Sequence, residues 1–256
     1  MSPRLPAVAL AAAAALFVTA APPAAAQSFT PEQRKELEAI VKDYLIKNPE
    51  ILRDVAAALE RQQAEADASK GRKAIKEHAA TLFSSPRQAV LGNPKGDVTM
   101  VEFFDYNCSF CKRAMADMMD LLKNDPNLKV VLKEFPVLGE GSVQAAKIGA
   151  AAMIQDKSGK KYLEFHRKLL STRGQIAKAQ AIAAAKGAGF DIARIERDAE
   201  GPEVRKTLEE SFMLAEALGL NGTPSYVIGS NVVIGAVGLA KLKENISQAR
   251  CGKPTC

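Results

Sequence analysis

Two cysteines separated by two residues, Cys108 and Cys111, point more directly to chemistry than any other residues of this chain. They follow a strongly apolar run, 98–104, and open a stretch with helical spacing. Two thiols in this position can close into a disulfide, and the free N–H groups at a helix start stabilise a thiolate on the first of them. A zinc site would need two more ligands, and Cys251 and Cys256 lie far away at the C-terminus. We therefore predict a redox centre that needs neither a metal nor another cofactor.

The first 26 residues are typical of a secretory signal peptide. Arg4 precedes an almost unbroken apolar run, 5–21, and the prolines and alanines after it end in an Ala-x-Ala cleavage pattern. The alternative, a transmembrane anchor, is less favoured because the run is short for a bilayer and prolines end it. We predict cleavage after Ala26. A mature chain that begins at Gln27 would work in an oxidising compartment, where a dithiol acts by exchange.

The charge of the chain argues against nucleic acid as a partner. The formal net charge of +6 is mild, and the basic residues are interleaved with acidic ones rather than gathered into a stripe. The length is sufficient for one well-formed hydrophobic core together with a smaller accessory element.

Residues 27–66 are predicted to form that accessory element, a helical arm. Thr30, Pro31 and Gln33 form a helix start with a capping box, and a second start follows at 48–50. Both helices carry apolar stripes that so small a pair cannot bury. We expect the arms of several copies to associate, because a polar helical linker, 67–83, broken at Gly71, separates the arm from the rest. The alternative is a helical hairpin docked on its own catalytic domain.

Residues 84–256 are predicted to form one α/β domain. Its pattern is a strand, a longer buried strand, the dithiol helix, a third strand, a helical block, a two-stranded hairpin and a last helix. This is a thioredoxin-like order with a helical insert. The expected strands are 89–92, 97–104, 128–135, 225–228 and 231–234, the helical block is 141–218, and the last helix is 239–248.

Three motifs carry a family resemblance. The run Glu102–Cys111, the run Lys133-Glu134-Phe135-Pro136 and the run Gly222-Thr223-Pro224-Ser225 resemble the DsbA-like thioredoxin superfamily in its Com1/ScsC (suppressor of copper sensitivity) branch. The arm resembles the N-terminal oligomerisation domain of the same branch. The resemblance implies a thioredoxin-like fold with an inserted helical domain, preceded by an oligomerisation arm.

The resemblance also implies separate roles for the two cysteines. Cys108, at the exposed helix tip, should be the attacking thiolate, and Cys111 should resolve the mixed disulfide. Ser109 and Phe110 between them are expected to contact substrate. Ser109 and Phe110 include no histidine whose charge could stabilise the thiolate, so its stabilisation depends more on the helix N-terminus.

Thr223 and Pro224 match the family's substrate-binding cis-proline loop, in which the backbone of residue 223 turns towards the dithiol. An ordinary trans turn proline is the alternative. Glu102 matches a buried acid beneath the active site, which would relay the proton of Cys111. The alternative is a solvent-exposed glutamate on an edge strand, and Lys133 is a candidate ion-pair partner for a buried one.

The threonine before Pro224 and the arm resemble isomerase-type members of the family. The predicted function is therefore a periplasmic protein disulfide isomerase that acts on cysteine-containing secreted proteins and is kept reduced by an inner-membrane thiol reductase. Two alternatives are a dithiol oxidase of the same family and a copper(I)-binding protein that confers copper tolerance through the two thiols.

The remaining candidates have simpler interpretations. Cys251 and Cys256 close a short loop and are predicted to form a structural disulfide. The methionines on the dithiol helix are interpreted as core residues rather than copper ligands. His78 and His166 lie in charged helical surroundings and are expected to be solvated.

Overall fold

The computed structural model describes residues 29–256, so the predicted signal peptide and its cleavage site lie outside the described residues. The chain divides into two compact units, one that ends at Ala57 and one that spans Ala58–Cys256. Across this described part of the chain, every helix is too short or too polar to cross a bilayer.

The smaller unit contains helix α1, Pro31–Lys47, and the beginning of α2, Glu50–Glu77. The predicted capping box is present, because Thr30 Oγ1 accepts the Gln33 N–H at 3.2 Å and Gln33 Oε1 accepts the Thr30 N–H at 3.0 Å. No residue of α1 is buried. Its apolar stripe is therefore open to solvent within this unit.

The helix break predicted at Gly71 is wrong. Helix α2 continues through Gly71, which is buried beside Val232, and a Cβ atom there would lie 3.0 Å from a methyl carbon of Val232. The packing at this close approach stabilises the helix by more than the low helix propensity of glycine costs, which is about 1 kcal/mol relative to alanine. Ile75 of α2 and Leu82 of α3, Ala79–Ser84, also lie in the core of the larger unit.

A five-stranded sheet forms the centre of the larger unit, with the order β1-β3-β2-β4-β5. The central strand β2 runs parallel to β3 and antiparallel to β4, and both outer pairs are antiparallel. The strands are β1 Ala89–Gly92, β2 Val98–Phe104, β3 Leu128–Glu134, β4 Ser225–Ile228 and β5 Asn231–Ile234.

Helix α4, Ser109–Asn124, connects β2 to β3, and five helices lie between β3 and β4. Helix α10, Leu239–Cys251, ends the domain. The predicted thioredoxin-like sheet with its inserted helices is confirmed. The inserted helices are α5 Glu140–Gln155, α6 Lys160–Leu170, α7 Lys178–Gly187, α8 Ile192–Ala199 and α9 Pro202–Ala217.

The two faces of β2 contribute to different hydrophobic clusters. Met100 and Phe104 lie in the cluster that also contains both thiols of the Cys-x-x-Cys pair. Val101 and Phe103 lie in a second cluster with Leu82. Because side chains alternate along a strand, the residue at position 102 belongs to the face that carries the thiols.

Candidate active site

Cys108 is the N-cap residue of α4, directly after the loop that leaves β2. Its Sγ lies 3.0 Å from the backbone carbonyl oxygen of Thr223, to which the thiol form of Cys108 donates a hydrogen bond. A hydrogen bond from the Cys111 thiol lowers the pKa of Cys108 to about 5, against the opposing effect of burial. The Thr223 side chain and the backbone N–H groups of Phe110 and Cys111 add to this shift. Cys108 is therefore a thiolate at neutral pH.

Cys111 lies in the first turn of α4 and is buried. Its hydrogen bond to the Cys108 sulfur raises its pKa, and burial and the charge of Glu102 act in the same direction. The two thiols are not bonded to each other. The site thus holds one ionised sulfur at the helix start and one protonated sulfur within the first turn. The expectation of an exposed helix tip is wrong, because Cys108 is only 6% exposed.

Glu102 lies in the middle of the central strand and is only 4% exposed. Burial raises its pKa to about 8, and the negative charges of Cys108 and Asp117 contribute to the rise. The carboxyl group therefore carries a proton at neutral pH, on the face of β2 that packs with the thiols. The alternative of an exposed edge glutamate does not fit this position.

The predicted ion pair between Glu102 and Lys133 is wrong. The parallel register pairs Glu102 with Leu132, so the next residue, Lys133, points to the other face of the sheet. There its Nζ donates to Glu210 Oε1 at 2.8 Å and to the carbonyl of Thr81 at 2.9 Å.

The Thr223–Pro224 peptide bond is cis, and Thr223 is the residue whose carbonyl meets the Cys108 sulfur. Ser109 is exposed, and the Phe110 side chain is 50% exposed. The guanidinium carbon of Arg113 lies 4.5 Å above the centre of the Phe110 ring. Thr223 thus lies beside the Cys108 sulfur in space, and Ser109 and Phe110 directly follow Cys108 in the chain.

The C-terminal cysteines, Cys251 and Cys256, form a disulfide at the opposite end of α4 from the dithiol. Arg250 next to them donates to Asp97, before β2, and to Asp125, after α4. Because α4 has 16 residues, this end lies about 24 Å from Cys108 at 1.5 Å per residue. Direct exchange between the two pairs in one chain is ruled out by this arrangement.

A buried polar cluster next to the active-site loop was not predicted from the sequence. Glu134 Oε1 accepts hydrogen bonds from the hydroxyls of Tyr106 at 3.2 Å and Tyr162 at 3.1 Å. His166 Nδ1 lies 3.3 Å from the Tyr106 hydroxyl. Burial raises the pKa of Glu134.

The expectation that His166 is solvated is wrong. The side chain is 1% exposed, and burial lowers its pKa to about 3. The sequence contains a signal for this, because positions 162, 165, 166 and 169 share one helical face that also carries Phe165 and Leu169.

Four methionines have the environment of core residues, whereas Met213 is 41% exposed. Met100, Met115, Met118 and Met153 are buried in the cluster that holds the thiols. Within residues 29–256, no three His, Cys, Asp or Glu side chains come together as a metal site.

Comparison with known proteins agrees with this geometry. Residues 99–247, more than half of the chain, match the family described as DSBA-like thioredoxin domain. Residues 33–66 match the family described as copper resistance protein ScsC N-terminal domain.

Solved structures of similar proteins match this chain over almost the whole of their own length. A thioredoxin-like oxidoreductase from Silicibacter pomeroyi is 43% identical with a TM-score of 0.63, covering 67% of this chain and 96% of that chain. A linker-deletion mutant of Proteus mirabilis ScsC is 26% identical with a TM-score of 0.65, covering 88% and 98%. The thiol-disulfide exchange protein alpha-DsbA2 from Wolbachia pipientis is 28% identical with a TM-score of 0.66, covering 72% and 97%.

Among curated proteins, the first relatives are Na⁺/H⁺ antiporters NhaA. The one from Salinispora arenicola is 22% identical over 166 residues, and the match covers 65% of this chain but 25% of that protein. The chain therefore spans about a quarter of the length of these relatives. Residues 33–66 are an ScsC N-terminal domain. The match over residues 99–247 agrees with the sheet, the helical insert and the paired cysteines, and it shows that the chain belongs to the DsbA-like thioredoxin family.

Proposed function

We propose that this chain is a periplasmic protein disulfide isomerase that acts by thiol–disulfide exchange at Cys108. The observation that carries the proposal is the thiolate of Cys108, at a helix N-terminus and beside the backbone of Thr223. A thiolate is the nucleophile in disulfide exchange, and a low pKa keeps it available at neutral pH. The matches to a thioredoxin-like oxidoreductase and a thiol-disulfide exchange protein support the same chemistry. The periplasmic location rests on the predicted signal peptide.

The proposed reaction begins when the Cys108 thiolate attacks one sulfur of a substrate disulfide. A mixed disulfide forms, and the other substrate sulfur leaves as a thiolate. In isomerisation, a second substrate thiolate attacks the mixed disulfide, forms a new substrate disulfide and releases Cys108 as a thiolate. If the substrate stays bound too long, Cys111 loses its proton, attacks Cys108 and releases the substrate reduced. In the mixed disulfide Cys108 carries no charge, which removes one of the causes that raise the pKa of Glu102. The ionised form of Glu102 is the proposed acceptor of the Cys111 proton at this stage.

The proposed isomerase also needs several dithiols that can act on one misfolded substrate. The arm supports this, because Ile40, Val41 and Tyr44 of α1 and Leu52 and Val55 of α2 are each at least half exposed. A stripe of this kind on a helix with no buried residue is the face by which copies of the chain would associate. The match to the ScsC N-terminal domain favours the same role. Cysteine-containing secreted proteins are the proposed substrates, and an inner-membrane thiol reductase is the proposed source of electrons.

Reactivation of scrambled ribonuclease by the reduced mature protein tests the chemistry. We expect turnover by the wild type and by the double variant Cys251→Ala/Cys256→Ala, which leaves the active-site thiols in place. Cys108→Ala should abolish turnover, since the attacking sulfur is gone. Absence of turnover together with stoichiometric uptake of copper(I) by the two thiols would replace the proposal by copper binding.

The mass of the mature protein in light scattering tests the arm. Ile40→Glu places a charge on the exposed apolar stripe, and Lys35→Glu places the same charge on the polar side of α1. We expect Ile40→Glu to lower the mass to that of a monomer and to abolish isomerase turnover. Lys35→Glu should keep both. A monomeric wild type, or an Ile40→Glu protein that remains assembled, would contradict the role of the arm.

A further inference from the structure

Asp105, the first residue after β2, is almost completely buried, and its carboxylate accepts four hydrogen bonds. Oδ1 accepts from the backbone N–H of Asn107 at 2.7 Å and from Ser142 Oγ at 2.7 Å. Oδ2 accepts from the backbone N–H groups of Val137 at 2.8 Å and Leu138 at 3.0 Å. A buried carboxylate is stable only when it is hydrogen-bonded in this way. Asp105 therefore joins three segments: its own loop, the loop after β3 and the start of α5.

Asn107 extends these contacts to a fourth segment. Its Nδ2 donates to Ser142 Oγ at 3.0 Å and to the carbonyl of Ile176 at 2.8 Å, and its Oδ1 accepts the Ile176 N–H at 2.7 Å. Ile176 lies between α6 and α7, inside the helical insert. Lys112 of α4 adds a parallel contact, because its Nζ donates to the carbonyl of Thr172 at 3.0 Å.

The same short loop is bonded to both thiol residues. The Cys108 N–H donates to the carbonyl of Asp105 at 3.1 Å. The backbone of Asp105 lowers the pKa of Cys111, against the larger effects that raise it. A displacement of residues 105–107 would therefore displace the backbone that holds the dithiol.

We propose that Asp105, Asn107 and Ser142 form a positioning cluster, which ties the backbone in front of Cys108 to the inserted helices and so holds the sulfur against the N-terminus of α4. The cluster fixes the distance between the Cys108 sulfur and the N–H groups of Phe110 and Cys111. These three residues act through the loop and do not touch the reacting sulfur of a substrate. This inference rests on exchange chemistry at Cys108, as proposed above.

Asn107→Ala in the full mature protein tests the cluster, and the readout is the pH titration of thiolate absorbance at 240 nm in the reduced protein. We expect the pKa of Cys108 to rise from about 5 by about one unit, the value of one weakened hydrogen bond to a charged sulfur. The equilibrium constant with glutathione at pH 7 should change by about tenfold towards a more stable disulfide, because the reduced form loses stabilisation.

Asn93→Ala is the matched control. Asn93 is half-buried like Asn107, donates to the carbonyl of Pro126 at 3.1 Å and accepts the Lys95 N–H at 2.9 Å, at the far end of the sheet. It should leave both readouts unchanged. Ser142→Ala, which removes a single hydroxyl, should shift them in the same direction as Asn107→Ala but by less, and it serves if Asn107→Ala does not fold.

The proposal is overturned if the folded variants of the cluster keep the wild-type pKa and glutathione constant, even if they unfold more easily. It is also overturned if Asn93→Ala shifts both readouts equally. Neither readout requires turnover of a protein substrate. A wild type with a low thiol pKa and no isomerase activity would therefore refute the proposed function and leave the positioning cluster standing.

Discussion

Replacing Glu102 by glutamine should remove a pH dependence that the buried acid imposes on stability. In the folded reduced protein the carboxyl group holds its proton up to a pKa of about 8, whereas its ordinary value is 4.5. Between these two values the folded chain binds one proton more than the unfolded chain does. Stability therefore falls as the pH rises, beginning at 4.5 and ending near 8. Glutamine has the same shape and does not titrate.

The size of the effect follows from the two pKa values. Each pH unit inside this window changes the free energy of unfolding by about 1.4 kcal/mol, so the span from pH 5 to pH 7 amounts to about 3 kcal/mol. The side chain is almost fully buried, so solvent screening removes little of this. Other groups titrate in the same range, and the difference between wild type and variant removes their contributions.

Urea unfolding of the reduced protein at pH 5 and pH 7 gives the measurement. The stability of Glu102→Gln relative to wild type should increase by about 3 kcal/mol between pH 5 and pH 7. Glu209→Gln makes the same chemical change at an exposed position of α9 and should show no such increase. If the stabilities of Glu102→Gln and wild type change in parallel from pH 5 to pH 7, the carboxyl group is already ionised in the folded state and burial does not raise its pKa.

Two further predictions concern the buried polar cluster. His166→Gln should lose a pH dependence of stability that has the opposite sign. Burial lowers the pKa of the folded imidazole to about 3, against an ordinary 6.5, so between these values the unfolded chain binds a proton there and the folded chain does not. Wild-type stability falls as the pH drops from 6.5 towards 3, so the variant should be relatively more stable at pH 4 than at pH 6.5, by about 3 kcal/mol in urea unfolding. Gly149→Ala should destabilise by about 1–3 kcal/mol, because its Cβ would meet the Glu134 carboxyl group. Gly71→Ala, where the Cβ meets only a methyl group, should change urea stability by less than about 1 kcal/mol.

The strands and the dithiol helix could be predicted from the sequence because their signals are local. Strands β1, β4 and β5 begin and end where the pattern of apolar residues and turns places them. Cys108 could be placed at a helix start for the same reason, since the apolar strand and the helical periodicity meet there. The prediction of a helix break at Gly71 was wrong because it rested on the low helix propensity of glycine, which is a local property. The helix is held by a contact with Val232, which is distant in sequence.

The face and partner of a buried charge could not be predicted, because they depend on sheet register. Lys133 and Glu102 lie on neighbouring strands, yet a register offset of one residue places them on opposite faces. The position of Asn107 next to the cysteine is visible in the sequence, but its partner Ile176 is 69 residues away. Such contacts are fixed by the packing of the insert and not by any local pattern.

The protonation states at the site explain why two cysteines and one acid suffice for exchange. At neutral pH the reduced site holds a single negative charge, on Cys108, while Cys111 and Glu102 keep their protons. Reduction of the disulfide by two electrons therefore takes up one proton at the inner sulfur. The new charge on Cys108 also raises the pKa of Glu102, so the acid holds its proton more tightly in the reduced form. The charge on Cys108 is lost when the mixed disulfide forms there, and Glu102 then becomes the stronger acid. The carboxyl group thus gives up its proton more readily at the step in which Cys111 must be deprotonated, and the carboxylate so formed is the proposed acceptor of that proton.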